Sequence, residues 1–511
     1  MQAVPAGKDN RKMKLNISGN INAYYVQTLC MIFFPGEKFS DKAISDPEVA
    51  SPELTLSLEE TDAGVKVCAE LTLEEKFANC EKVYPIREDI TYDRLKKIAV
   101  GDAVLSVCSE VIGYRPSWGM LVGVRPSKVA TELFASGMSK TRVKKALVND
   151  YFVIPKKAAL ATEVALNEAE LVQKVEPKAC SVYISIPFCP TRCAYCSFVS
   201  YTSKKLLSTI PDYLVALGKE INSTFDTIKE LGLTVKTIYI GGGTPTILDE
   251  TQLAWLLSVV EANIDVSTVE EYTLEAGRPD TITEGKMRVA MAHGVNRISV
   301  NPQTLNDDVL RIIGRSHTAD DFLRAYDIAR NSGIANINTD VITGLPGDKF
   351  ASFSASYDKI VSLRPENITV HTFSVKKASD ALKNFSHIYS VRGGDVGKCV
   401  DYSQIKAQHE GYQPYYMYRQ KNTVGNYENV GFCLDGKKGL YNIYMMEELH
   451  SIFAAGAGAV SKFVDIAPKG EEKRTIERFF NQKYPYEYLA EDKTEEKLNA
   501  AREFYIKHGL V

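Results

Sequence analysis

Apolar and polar positions alternate with a period near two through the first 85 or so residues. Lys14–Ile17, Ala23–Phe34, Glu53–Leu58 and Gly64–Leu71 carry alternating or β-branched runs separated by Gly, Asp and Pro, and they predict strands. From Tyr92 the period lengthens. Tyr92–Gly113, Pro126–Ser136 and Lys140–Asn149 predict helices, and Ala158–Val175 a long one. After Pro177 strand and helix alternate. Cys180–Ile186 is a mostly apolar run of the buried parallel type, followed by a helix over Leu206–Leu231. Further strands are predicted at Thr237–Ile240, Tyr272–Ala276, Arg297–Asn301, Asn336–Ile342 and Ile368–Phe373. Helices are predicted between them at Glu250–Asn263, Glu284–His293, Asp307–Ile313, Ala319–Ser332 and Ala351–Leu363. Six β/α repeats in about 195 residues imply a parallel sheet, which right-handed crossovers curl into a partial or complete barrel.

Beyond Lys376 the pattern loosens. Ser379–Arg392 is mixed, Val396–Glu410 reads as helix, Tyr412–Tyr418 is dense in aromatics and Gly425–Gly431 reads as loop. Tyr444–Phe453 and Thr494–His508 read as helices, and Lys469–Arg474 as a solvated run of mixed charge. The expected fold class is therefore α/β, a partial (β/α)6 barrel with an α+β amino-terminal region and a smaller carboxy-terminal region. Four stretches are expected: 1–87 rich in β, 88–176 helical, 177–376 the barrel, and 377–511 a region covering the substrate.

The 511 residues hold 61 basic and 64 acidic side chains, a net charge of −3, so nothing pulls the chain toward nucleic acid or an anionic membrane. No apolar run reaches the ~18 residues of a spanning helix. Met1–Lys14 is polar and basic without the apolar stretch of a secretory signal, and a cytoplasmic location is expected. Seven of the ten cysteines are scattered (Cys30, Cys68, Cys80, Cys108, Cys180, Cys399 and Cys433), which fits reduced thiols in a chain long enough to bury a core without disulfides.

The other three, Cys189, Cys193 and Cys196, form Cys-x3-Cys-x2-Cys in the loop after the first parallel strand. Loops at strand C-termini carry the chemistry of a β/α barrel. Three thiolates on one tight loop can hold three irons of a [4Fe–4S] cluster and leave the fourth open to a ligand. Structural zinc wants four ligands, usually as two Cys-x2-Cys pairs. No second pair exists, and His317 and His371 lie far off in sequence. The third reading is three chance cysteines in a turn. The residues alone leave all three standing, with the cluster first.

Other candidates sit at later strand ends. Gly241-Gly242-Gly243-Thr244-Pro245-Thr246 follows the second strand, where missing side chains let backbone approach a ligand. It is no phosphate loop, because no Gly-Lys-Ser/Thr follows; otherwise it is a tight turn. Glu275 ends the third strand and Gln303 closes the fourth. Arg315 follows a short helix, and Asp340 stands in Asn338-Thr-Asp340-Val-Ile-Thr-Gly344-Leu-Pro346-Gly347. Each polar residue taken singly is ordinarily just solvated or hydrogen-bonded.

The cysteine spacing after a first barrel strand resembles the radical S-adenosylmethionine (SAM) superfamily. That resemblance implies a [4Fe–4S] cluster on Cys189, Cys193 and Cys196, with SAM chelating the open iron and yielding a 5′-deoxyadenosyl radical. The order of motifs from Cys180 to Ser374 resembles the oxygen-independent coproporphyrinogen III dehydrogenase family. By motif position it implies SAM contacts for Tyr183, Gly242, Gly243, Thr244, Glu275, Gln303, Arg315 and Asp340. Trp118–Ser127, Glu275-Ala-Gly-Arg278-Pro-Asp280 and Arg419-Gln-Lys-Asn422…Tyr427-Glu-Asn-Val-Gly431 resemble a subgroup with an extra amino-terminal region.

The implied reaction takes a hydrogen from the β-carbon of a propionate, releases carbon dioxide, passes one electron to an acceptor and leaves a vinyl group. Done twice, it converts coproporphyrinogen III to protoporphyrinogen IX. A macrocycle with four carboxylates asks for cations and aromatics together, and Tyr416 and Arg419 are the candidate substrate contacts. The implied partners are a tetrapyrrole substrate and a one-electron donor such as flavodoxin or ferredoxin. Two positions depart from the family's dehydrogenases: Phe198 replaces a further cysteine and Ser185 a histidine. Phe198 is shared with the haem-chaperone branch, so the alternatives are a haem-binding chaperone or a radical SAM enzyme acting on haem or another tetrapyrrole.

Overall fold

The computed structural model describes residues 12–34, 37–40, 51–123, 125–174, 176–196, 198, 200–374, 394–420, 423–465 and 475–511. Ser379–Arg392 and Lys469–Arg474 lie outside the described residues. The chain forms two units: Met1–Leu166 with Lys383–Gly397 and Met417–Glu428, and Asn167–Leu382 with Lys398–Tyr416 and Asn429–Val511.

The first unit carries a five-stranded sheet of β1 (Lys12–Ser18), β2 (Lys38–Ser40), β3 (Glu53–Thr61), β4 (Gly64–Leu73) and β5 (Lys76–Pro85) in the order β2-β1-β3-β4-β5. Val65, Val67, Ala69 and Leu71 alternate inward from β4. The helix Tyr92–Ile112 packs on β4 and β5, so no break falls at residue 87 between a β-rich and a helical region. β5 escaped prediction because neither of its faces is cleanly apolar: only Ala78 is buried, Phe77 and Val83 are exposed, and Lys76, Glu81 and Lys82 suit an exposed edge. Ala23–Phe34 is corrected from strand to helix (Ala23–Phe33). Asn22 caps it by accepting from Tyr25 N at 3.0 Å, and the buried Val26, Leu29, Cys30 and Phe33 recur at helical spacing. Deep in the same unit, Glu428 accepts from Lys157 Nζ at 2.6 Å and from Trp118 Nε1 at 2.8 Å, with both charged side chains fully buried.

The second unit is built on an eleven-stranded sheet. Its centre is the six predicted parallel strands β6 (Ala179–Ile186), β7 (Thr234–Gly242), β8 (Glu271–Glu275), β9 (Arg297–Ser299), β10 (Asn336–Thr343) and β11 (Asn367–Thr372), a partial (β/α)6 barrel. The predicted helices come after them, each within a few residues of its expected bounds. Later chain extends the sheet at both ends: β12 (Gln413–Tyr418) and β13 (Asn429–Cys433) beyond β11, and β14 (Ser451–Ala455), β15 (Val460–Val464) and β16 (Ile476–Phe480) beyond β6.

Two readings change here. The Gly425–Gly431 loop runs into β13, which pairs antiparallel with β11. The helix predicted over Tyr444–Phe453 is Leu440–Glu447 alone, stopped by Glu448 in the left-handed region. The next element is β14, wholly buried and parallel to β6 with Ser451 opposite Cys180. A short apolar run does not say whether it is helix or strand; its distant partner decides. Among the described residues after 376, the strands β12 to β16 thus extend the barrel sheet. Among the described residues no helix is long and apolar enough to cross a membrane.

Candidate functional site

The loop after β6 is fixed by its own backbone. Cys189 N donates to Tyr201 O at 3.1 Å, and Tyr201 N to Pro187 O at 2.9 Å, which closes the neck of the loop. Cys196 N donates to Cys193 O at 3.0 Å in a tight turn, and Ala194 N reaches Ile313 O at 3.0 Å. All ten cysteines are free thiols. Burial pushes the Cys189 thiol up to about 11, against the pull of the Thr244 hydroxyl 3.2 Å from its sulfur. Cys196 is raised by burial as well. Among the described residues no three ligating side chains close on a single ion position. The three thiols nevertheless lie near enough to act on one another's charge. A donor set of sulfur alone, drawn from one loop and not converging on one point, suits a cluster in which each thiolate takes a different iron. It does not suit a zinc ion closed by four ligands.

The glycine run docks beside this loop: Gly243 N donates to Ile186 O and Thr244 N to Phe188 O, both at 2.8 Å. A Cβ on Gly243 would stand 2.5 Å from Phe188 O, so no side chain fits there. Gly242 holds φ +107°, open to glycine, and turns its N–H to Glu275 Oε2 at 3.2 Å. Glu275 is pushed up to about 8, first by burial and then by Asp340, while Gly242 N–H and Arg315 oppose the rise. Burial would raise Asp340 too, but His371, Asn338 and Thr369 outweigh it and hold that carboxyl below its ordinary value. Asn301 Nδ2 donates to Asp340 Oδ2 at 2.9 Å and Asn338 Nδ2 to Oδ1 at 2.8 Å, while His371 Nε2 stands 3.6 Å off. Two partly buried carboxylates held apart in titration form a site ready for a cationic or hydroxylated ligand.

Gln303 is the plainest sign of a missing partner. Its backbone sits at φ +67°, pinned by Gln303 N to Asp340 O at 3.1 Å and by Ile342 N to Gln303 O at 2.9 Å. Its buried Oε1 accepts no hydrogen bond among the described residues. Strain and an orphaned acceptor at a strand end fit a ligand that donates there. Arg315 ties the site to the cysteine loop through Tyr195 OH, 3.1 Å from Nη2, and through Gly277 O, 2.9 Å from Nη1. Tyr183 stacks with Tyr239 (centroids 6.0 Å apart) and with Tyr441 (6.3 Å), and Tyr239 with Tyr441 at 4.7 Å. Tyr441 enters because Glu271 accepts from Leu440 N at 2.7 Å and Tyr441 N at 3.2 Å, seating that helix start at the base of β8.

The three cysteines, Tyr183, Gly242, Gly243, Thr244, Glu275, Gln303, Arg315 and Asp340 all belong to the second unit, Tyr183 and Asp340 within their strands and the others at strand ends or in the loops that come after them. Tyr416 lies in the same unit, its OH 3.4 Å from Thr369 Oγ1, and Thr369 donates to Asn338 at 3.2 Å. Arg419 belongs to the first unit. Its Nη1 donates to Leu121 O, its Nη2 to Asn426 Oδ1 at 2.6 Å, and its face covers Trp118. Both terminal nitrogens are bonded to protein oxygens, so its role as a substrate fork is withdrawn. Sequence reasoning missed Asn301, Tyr195, Tyr239 and Tyr441, and weighed His371 only as a distant zinc ligand. His371 lies on β11 and Asn301 just past the end of β9; Tyr441 has no local signal. Ser185 Oγ donates to Ala457 O at 2.9 Å, just past the end of β14, the strand added beside β6. Phe198 is largely exposed.

The sequence pattern of the radical SAM superfamily matches residues 183–360. The chain is 34% identical over 515 residues, 99% of each chain, to the oxygen-independent coproporphyrinogen-III oxidase-like protein HemZ of Bacillus subtilis (strain 168). It is 30% identical over 321 residues to the heme chaperone HemW of the same organism, covering 62% of this chain and 80% of that one. Among solved structures, coproporphyrinogen III oxidase HemN from Escherichia coli, a radical SAM enzyme, covers 65% of this chain and 73% of its own with a TM-score of 0.50. At 20% identity that likeness speaks for the fold.

Proposed function

Because the chain belongs to the radical SAM superfamily, in its coproporphyrinogen oxidase-like family, we propose that it converts coproporphyrinogen III to protoporphyrinogen IX without oxygen. Its cofactors are a [4Fe–4S] cluster and SAM. When bound, they supply a 5′-deoxyadenosyl radical that takes hydrogen from a substrate propionate.

The chain's own residues bind and orient. Cys189, Cys193 and Cys196 hold the cluster. Glu275 receives a cationic or hydroxyl group of SAM, Gln303 Oε1 accepts a further hydrogen bond, and Asp340, braced by Asn301 and Asn338, takes another. The glycine backbone lets SAM sit close, Arg315 steadies the cysteine loop against the site, and the three stacked tyrosines wall it from water. Tyr416 is the proposed aromatic contact for the macrocycle. The electron comes from a flavodoxin- or ferredoxin-type donor in the cytoplasm.

The observation that carries the reading is the full-length likeness to a coproporphyrinogen-III oxidase-like protein, together with the orphaned Gln303 acceptor beside two partly buried carboxylates. A second reading, a haem-binding chaperone that keeps the cluster, is favoured by Phe198 and by the 30% identity to a heme chaperone. One sample decides between them: anaerobically reconstituted protein with SAM, reductant and coproporphyrinogen III, assayed for carbon dioxide, vinyl product by mass, and haem binding. Decarboxylation is expected. Tight haem binding with no carbon dioxide above background overturns it.

A further inference from the structure

The stretch Glu275–Asp280 contains a side chain that neither cluster ligation nor SAM contact accounts for. Arg278 follows β8 and is 3% exposed. Its Nη1 donates to Thr191 O at 3.0 Å, and its Nη2 to Thr191 Oγ1 at 2.7 Å. Thr191 stands in the cysteine loop between Cys189 and Cys193. The same Nη1 is 3.6 Å from Cys193 Sγ. Asp280 flanks the guanidinium, with Oδ1 3.3 Å from Nε, and Ser316 Oγ completes the shell at 3.5 Å. Arginine keeps its charge in proteins, so a fixed cation lies within hydrogen-bond reach of the second sulfur, partly balanced by one carboxylate.

We infer that Arg278 is a positioning residue that both clamps the cysteine loop and makes the cluster easier to reduce, with Asp280 setting how much. This rests on reading the three cysteines as cluster ligands. Reduction adds one electron to a buried anionic group, and a neighbouring cation that donates to a ligand sulfur stabilises the more negative state. Net charge and hydrogen bonds to sulfur are established levers on such potentials. The Arg278–Asp280 pair therefore makes two predictions of opposite sign. Removing the cation lowers the potential. Removing the carboxylate raises it. A merely structural role would loosen the loop in both variants and move neither potential in opposite directions.

The test compares wild type, Arg278→Gln and Asp280→Asn after anaerobic reconstitution. Iron and sulfide are counted, and the reduced signal is followed by electron paramagnetic resonance during a potentiometric titration. Arg278→Gln should hold about tenfold less reduced cluster relative to oxidised at the wild-type midpoint, a shift of about 59 mV to more negative potential for one electron. Asp280→Asn should shift the other way. Arg278→Lys keeps the charge but not the fork; it should stay near the wild-type potential and lose iron faster to a chelator. Full iron in Arg278→Gln with an unmoved potential overturns the inference, as does a shift of one sign in both variants. If Arg278→Gln takes up no iron, Asp280→Asn decides, and an unmoved or lowered potential there overturns it. A wild type that binds no cluster instead refutes the reading of the cysteines.

Discussion

Glu275 shows how much one buried side chain can report. Its ordinary value of 4.5 is raised to about 8 by burial, with Asp340 adding to the rise. In the free protein it therefore keeps its proton up to about pH 8. A SAM cation beside it favours the ionised form, so binding below that pH must release a proton. Affinity should climb by about tenfold per pH unit well below pH 8, less steeply as pH nears 8, and flatten above it. Folding carries the opposite sign: the unfolded chain ionises first, so this group's contribution to stability is lost as pH rises toward about 8, and SAM restores it. Anaerobic calorimetry between about pH 6 and 9 checks the slope, and Glu275→Gln should lose it; an equal slope in the variant makes Glu275 a bystander. The Cys193→Ala variant should lose the cluster while the chain stays folded, read by iron content and circular dichroism. At this scale the sequence was most legible where chemistry is local: three cysteines within eight positions, a triple glycine, polar residues at strand ends. Arg419 misled because a guanidinium next to aromatics looks the same whether it waits for a carboxylate or is already bonded to Leu121 and Asn426. Ser185 was illegible because its partner, Ala457, lies far along the chain.

At the scale of elements, strand–helix alternation from β6 to β11 was readable because each repeat buries an apolar run and turns at a polar one. The errors fell on elements whose identity depends on neighbours: the helix Ala23–Phe33, the polar edge strand β5, and β14. The last is held by a buried network. Glu220 takes Lys497 Nζ, Gly456 N at 2.7 Å and Tyr488 OH at 2.6 Å, while Lys497 Nζ also reaches Ala454 O at 2.6 Å. Burial would raise Glu220, but the Lys497 charge outweighs it and keeps the carboxylate low. Lys497→Met leaves that carboxylate buried without its cation, a loss of about 3–5 kcal/mol. The expected sign is faster hydrogen exchange at the Gly456 and Ala457 amides than at those of β8; unchanged exchange there would remove Lys497 as the brace of β14.

At the scale of the molecule, the first unit is assembled from distant pieces of chain. Its buried pair Lys157–Glu428 joins residues that no local pattern connects, and Trp118 donates to the same carboxylate. The chain has two tryptophans, so in a Trp255→Phe background Trp118 reports this unit alone. Glu428→Gln strands the Lys157 ammonium. A cost of about 3–5 kcal/mol, at roughly 2–4 °C per kcal/mol, should lower the Trp118 fluorescence transition by roughly 6–20 °C. Iron content should hold, because the cysteine loop belongs to the other unit. A transition that stays in place would show that Lys157 finds another counter-charge.

The pairing of Ser451 with Cys180 also sets a timetable for biosynthesis. At ~5–20 residues per second, β6 leaves the ribosome roughly 14–54 s before its neighbour β14 exists. Through that interval one flank of an apolar strand stands open, which invites chaperones or mispairing. The loop that carries Cys189 also lacks the Ser185–Ala457 tie at its root. A nascent chain stalled at Leu440 should expose Cys189 to a thiol reagent, whereas in the finished protein the same sulfur is buried and slow to react.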